Sequence, residues 1–447
     1  IKSLIKIAWR NFSKHRYYNL ISIMGLSLAL FCSLVLYLFI SYHRSFDTYH
    51  KYSKQIYRAV TDLHLPNGSI EYEQGSPFIL SELFKQIPQV ENTAVLLEKR
   101  SFTVSAQQDA QQASKLFYEF ENTAFANSNW FKLFDYTPKQ ESIISALDKP
   151  FTAVVSEDLA RKYFNTSDAV GKTIKLDNKY LFTIAAVVSS IAPNTDVQAN
   201  LFLSLSSVRA MYPDPKEFWT DIGFISSKNH VYALLRNNVS LRNVQERIGL
   251  ITKDPLKAYG NAYQFHLQPL SEIHFDSRYS GVISKTLLWV LTLVGFAVIV
   301  IASFNFVNIT TAQSLTRAKE IGTRKVLGGS RAVIFWQFIL ETAFVATLSL
   351  LIATGALILF LPTLKEWLQL PLVFNANLFA FGLIILVLII FSAGFYPAII
   401  LSRFKPVDAL KNIRYSINSR ISISRNTLVI LQNVIAQILI VSTVIIG

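Results

Sequence analysis

The sequence predicts an α-helical membrane protein of four complete membrane helices and the start of a fifth. A large α+β extracytoplasmic domain of two lobes is inserted between the first and second helices. Three observations predict this. Apolar runs at 19–42, 286–316, 332–362, 368–402 and 426–447 carry no charge except Glu341, and each reaches the ~20 helical residues that cross ~30 Å of hydrocarbon. Three short segments, 1–18, 310–332 and 402–427, together hold the whole net charge of +14. The stretch 43–285, by contrast, reads as short strands and helices bounded by turns.

Half of the residues are hydrophobic (51%), 33 are Phe, and mean hydropathy is +0.33. The clustering of the apolar residues, more than their number, excludes a soluble protein. The Lys/Arg-rich short segments belong on the cytoplasmic side. They place the N-terminus inside, 43–285 outside, the 310–332 segment inside, the next turn outside and 402–427 inside. A high pI also fits nucleic acid, but these basic residues flank membrane ends and build no reading surface, so no nucleic-acid partner is expected. The one cysteine, Cys32, lies in the first run, so the domain must hold together by its own core.

Residues 1–18 read as a cytoplasmic amphipathic helix. Ile1, Leu4, Ile5, Ala8, Trp9 and Phe12 take one face and Lys2, Lys6, Arg10 and Lys14 the other, a pattern that lies flat on anionic headgroups. A plain charged flank is the alternative. The first span is 19–42 and the domain 43–285. Within the domain, strands are predicted at 55–62 and 93–104 around a helix near 77–86, and a strand at 151–155 leads into a helix capped by Ser156. A hairpin of 173–176 and 180–188 turns on Asp177-Asn178. A strand at 230–235, a helix at 240–251 and a strand at 262–270 follow, so that one lobe is built from both ends and the second lies between. Spans are expected at 286–309, 333–361 and 376–401, joined by a cytoplasmic loop at 310–332 and an external turn at 362–375. A cytoplasmic linker at 402–427 leads to a fifth span at 428–447.

Candidate chemistry is sparse. Ala169–Leu176 contains Gly171-Lys172-Thr173, but Thr166 stands where a phosphate-binding loop needs its first glycine, and the segment leads into a strand. No metal is expected, because His43, His50, His64, His230, His266 and His274 lack ligand spacing and read as surface or packing residues. With no catalytic motif and no cofactor site, an enzyme is not predicted. Within the spans, Glu341 is costly at membrane depth and demands a partner or a wet crevice, as a relay or near the inner interface. Asn305 and Asn308 share a helix face and can hydrogen-bond across helices. Pro397 with Gly394 is expected to kink the fourth helix.

The most specific segment is RAKEIGTRKVLGGSR. Its Arg317, Glu320, Ile321, Gly322, Arg324, Lys325, Leu327 and Gly328, with Lys319 beside them, resemble the Arg-x-x-Glu-Ile-Gly-x-Arg-Lys-x-Leu-Gly pattern of MacB/FtsX-like ABC transporter permeases. Residues 46–60, 151–188 and 395–412 are similar to that family's extracytoplasmic domain and fourth helix. A positive-inside anchor alone would explain the arginines and lysines but not Glu320-Ile321-Gly322. The resemblance implies a permease subunit in the bacterial inner membrane, with no ATPase of its own. A separate ABC ATPase would bind ATP and Mg, and these loop residues would form its coupling contact. It also implies a dimeric assembly, an outer-membrane or periplasmic partner, and export of an antibiotic, peptide or lipoprotein, or regulation of a cell-wall hydrolase. A membrane-anchored sensor or scaffold is the alternative class. Long members carry the helix–domain–helix unit twice, which makes 428–447 the expected start of a second, missing repeat.

Overall fold

The structure is a computed structural model that describes residues 16–106, 114–136, 145–212, 217–260, 262–328, 330–402, 426–427, 429–438 and 440–441. It divides into a unit of apolar helices and a compact unit His43–Lys285. The expected helix over 1–18 and linker over 402–427 fall almost wholly outside the described residues, as does much of the fifth span, of which an apolar helix Val429–Ile438 is described.

The first element, α1 (Arg16–Arg44), buries Ile23, Leu26, Leu30, Leu34 and Leu38. These recur every three or four residues and make one packed stripe. Its other side exposes Leu20, Ile21, Met24 and Leu28. A helix apolar on both faces suits a bundle seam on one side and lipid on the other.

The compact unit is built on one ten-stranded sheet, from β1 (Ile56–His64), β2 (Ile70–Glu73), β3 (Val90–Ala106), β4 (Lys115–Ala126), β5 (Thr152–Ser156), β6 (Thr173–Leu176), β7 (Tyr180–Val188), β8 (Leu201–Ser204), β9 (Asn229–Leu235) and β10 (Tyr263–Pro269). Their order is β10-β1-β9-β3-β4-β8-β5-β7-β6, with β2 on β1, and β6 also pairs β3. That last pairing closes six strands into a ring. The 17 residues of β3 run through both the open sheet and the ring.

Side-chain alternation sorts the cores. In the central strand β9, Val231, Ala233 and Leu235 face a cluster with Phe84, Val244 and Phe265. Tyr232 and Leu234 face another, with Trp130 and Phe202. A third cluster, with Phe102, Phe125, Tyr163 and Leu203, fills the ring. The helices follow local signals. In α2 (Ile79–Phe84), Leu80 and Phe84 are buried. Ahead of α3 (Glu157–Phe164), the Ser156 hydroxyl accepts from the Leu159 N–H at 3.2 Å, and Asn165 at φ +55° ends the helix. In α4 (Leu241–Lys253), Val244 and Ile248 are buried one turn apart, each worth about 1.5–3 kcal/mol of transfer free energy. Asp177 and Asn178, at φ +46° and +52°, make the tight turn between β6 and β7.

The chain leaves this unit through α5 (Lys285–Val326), α6 (Arg331–Leu368) and α7 (Ala376–Ser402). With α1, they include the 4 segments long and apolar enough to cross a membrane: Arg16–Arg44, Lys285–Ala312, Arg331–Leu368 and Ala376–Phe395. Two expected boundaries move. The segment 310–332, read as a loop, is helical as far as Val326. Charge bars it from lipid but not from a helix, and Ala, Lys, Glu and Arg are good helix formers that carry the helix through the single Gly322. The external turn read at 362–375 shrinks to 369–375, because α6 continues through Pro362 to Leu368, with Gln369 at φ +53° as its stop. Leu364 and Leu368 pack on the bundle core, which holds that last stretch helical.

Candidate functional site

The turn between α5 and α6 is the site to which the sequence points. The apolar part of α5 ends at Ala312, and the helix then runs on to Val326, about 21 Å past the apolar span at 1.5 Å per residue. Leu327 and Gly328 close it, their N–H groups donating to Thr323 O at 3.0 Å and Lys325 O at 3.1 Å. Gly328 sits at φ +92°, and a Cβ there would meet nothing within 4 Å, so backbone conformation alone selects glycine. Ser330 then starts α6, its hydroxyl accepting from the Val333 N–H at 3.3 Å.

Of the predicted contact residues, Gly322 is a buried position inside α5. Arg317, Lys319, Glu320, Ile321 and Arg324 lie on the same helix, with side chains outside the described set. Lys325 is held below the usual lysine range by partial burial and by Arg331 nearby. Leu327 is 83% exposed and Val326 is exposed beside it. Among the described residues these two apolar side chains stand exposed beyond the apolar span.

The polar residues of the spans bond mainly within their own helices, with longer approaches across to neighbours at Ser33 and Ser349. Asn305 on α5 lies beside α1, its Nδ2 3.7 Å from where a Cβ on Gly25 would stand. The Ser33 hydroxyl donates to Ala29 O at 2.8 Å and approaches Gly295 O at 3.5 Å, and the Ser349 hydroxyl donates to Val345 O at 2.9 Å. Asn308 Oδ1 is buried with no hydrogen-bond partner among the described residues. Glu341 Oε1 accepts from Gln337 Nε2 one turn back on α6, at 3.0 Å. The helix α7 runs on through Gly394 and Pro397. At Gly394 a Cβ would come 3.2 Å from Ile339 Cδ1 and Thr342 Oγ1, so this glycine lets α7 press close to α6. Sequence reading did not single out Gly25, Gly295 and Gly382, although lone glycines in apolar runs are the available signal.

Elsewhere, Gly171 at φ +81° turns the chain into β6. The Gly-Lys-Thr of this segment therefore opens a strand, where a phosphate loop would open a helix. Among the described residues, no group of three or more His, Cys, Asp or Glu is placed to hold a metal.

A bundle of apolar helices joined to a sheet domain, with a basic helical turn, defines a membrane permease class. Residues 20–250 match the MacB-like periplasmic core domain, and 292–406 match the FtsX-like permease C-terminal domain. The first match covers more than half of the chain, which belongs to the MacB/FtsX-like family of ABC transporter permeases. Among relatives, the macrolide export ATP-binding/permease protein MacB of Bdellovibrio bacteriovorus is 24% identical over 273 residues, 59% of this chain and 39% of its own length. That of Pasteurella multocida is 24% identical over 306 residues, 66% and 42%. The chain thus spans less than half the length of these relatives. Of solved structures, the periplasmic region of MacB from Actinobacillus actinomycetemcomitans aligns with a TM-score of 0.33 at 12% identity, over 48% of this chain and 90% of that one.

Proposed function

We propose that this chain is the membrane subunit of an ABC transporter, in which an ATPase docks on the α5–α6 turn and α5 carries its motion to the unit His43–Lys285. The reading rests on α5 itself. It is one unbroken helix from Lys285, the last residue of the folded unit, to Val326, a rod of about 63 Å. A rod passes on a displacement that a flexible loop would absorb. The basic residues around the turn support a cytoplasmic position for it, and an N-terminus on the same side. ATP and Mg belong to the partner, and the output is export, in keeping with the relatives' names.

Glu320 is the only acid among five basic residues in 310–332, so its contribution is to recognition, not topology. A charge-assisted hydrogen bond from an ATPase cation would contribute about 1.5–3 kcal/mol. Glu320→Lys and Leu327→Asp are therefore expected to weaken ATPase capture about tenfold to a hundredfold while membrane insertion is retained. Pull-down and stimulated ATP turnover in membranes measure this. Wild-type capture and turnover by both variants would remove the turn from the mechanism and leave a sensor or scaffold.

A further inference from the structure

Three stretches of the unit His43–Lys285 meet at its buried histidines: the last turn of α1 with the strap that follows it, the loop after β7, and the segment leading to α5. His43 Nδ1 lies 2.8 Å from His274 Nε2. His274 Nδ1 lies 2.7 Å from Asp196 Oδ1. Both rings are buried, His43 at 5% and His274 at 2% exposure. The strap is fastened around them. The Phe46 ring stacks on His274 with centroids 3.5 Å apart. Asp47, left-handed at φ +52°, donates its N–H to Asn194 O at 3.0 Å. Asp47 Oδ2 accepts from the Asp196 N–H at 3.2 Å, and Asn194 Nδ2 donates to Ser45 O at 2.8 Å. On the other side, Val282 and Ile283 donate their N–H groups back to His274 O.

The proton count in this chain is fixed by its geometry. A carboxylate only accepts, so His274 Nδ1 carries a hydrogen toward Asp196. Between the two rings there is room for one hydrogen. Either His43 Nδ1–H donates to a neutral His274, or a charged His274 donates Nε2–H to a neutral His43. Charging both rings sets two N–H groups against each other inside a buried site.

We propose that His43, His274 and Asp196 form a proton-operated latch, which ties together the strands of chain entering and leaving this unit and lets go when the second imidazole takes a proton. The proposal does not depend on the ATPase reading. Burial and the neighbouring His274 hold His43 down at about 4. A histidine held below its ordinary value of ~6.5 favours the closed state fully above that value, and the closed state loses this advantage as pH falls toward the lower one. Burial raises the Asp196 carboxyl, a shift of opposite sign, which is why His43 is the residue to vary. Among the described residues, the other ionisable groups facing the cluster include Asp47 and Tyr49 from the strap, with His50 Nε2 3.7 Å from Asp47 Oδ1, Arg58 from β1 and Tyr232 from β9. The Asp135 N–H donates to His50 Nδ1.

Hydrogen–deuterium exchange of the full chain in lipid nanodiscs, between about pH 8 and about pH 4.5 and corrected for intrinsic rates, tests the latch. Peptides covering 43–50, 193–198 and 274–285 are expected to lose about tenfold or more of their protection together on acidification, with β9 unchanged. His43→Gln, which hydrogen-bonds without titrating, should keep protection at the acid end, and His50→Gln should keep the wild-type midpoint. Protection in the wild type that ignores pH, or a wild-type midpoint in His43→Gln, overturns the proposal. Should His43→Gln not fold, ring-nitrogen NMR of the wild type decides: His43 neutral at about pH 5.5 supports the latch, and a charged ring there refutes it.

Discussion

Gly328 shows what one residue contributes at the turn. Its φ of +92° is closed to side chains, yet the space around it is open. Gly328→Val is therefore expected to cost about 1–3 kcal/mol in backbone strain alone. Thermal unfolding of the full chain should show this loss undiminished when the surrounding side chains are trimmed. Local features of this kind were readable. The Ser156 cap and the Asp177-Asn178 turn both stand where short-range rules put them. The histidine latch was not readable, because its partners are 231 and 78 positions apart and only the fold brings them together. Gly394, beside Pro397, reads from the sequence as a kink. Its contact with Thr342 depends on a neighbouring helix that no local rule describes.

Among the elements, α5 departs most from a reading by composition. Charge marks where lipid ends, and hydropathy says nothing about where hydrogen bonding ends. Thr323 lies in the helical stretch between the apolar part and the turn. Thr323→Pro should break that stretch at about 3 kcal/mol. Membrane insertion should persist while ATPase-stimulated turnover falls, and unchanged turnover would mean that the rod is dispensable. In the compact unit, β1, β3, β9 and β10 were visible from alternation and turn residues. The strand β8, four consecutive buried residues, is too short for a period to show. Its neighbour β4, KLFYEFENTAFA, mixes apolar and charged residues and also escaped. Without these two strands, the closing of the ring could not be foreseen.

For the whole molecule, the unit His43–Lys285 carries its own cores and its own sheet. Expressed alone, it is expected to be monomeric and to unfold in one cooperative step. Trp130, fully buried, stacks on Phe134 at 4.1 Å and meets Tyr232 edge-on at 5.3 Å. Trp130→Ala should remove about 3–5 kcal/mol, read by denaturant titration. A gradual melt of the wild-type unit would deny it an independent core. The ring in this unit is also not equally strong all the way round. Ten residue pairs join β3 to β4, whereas among the described residues three pairs join β3 to β6 (Val104–Leu176, Ser105–Lys175 and Ala106–Ile174) and three join β5 to β8. Under tension, a hoop parts at its shortest weld. The six-strand hoop would uncurl at one of those two seams into an open sheet with two fresh borders.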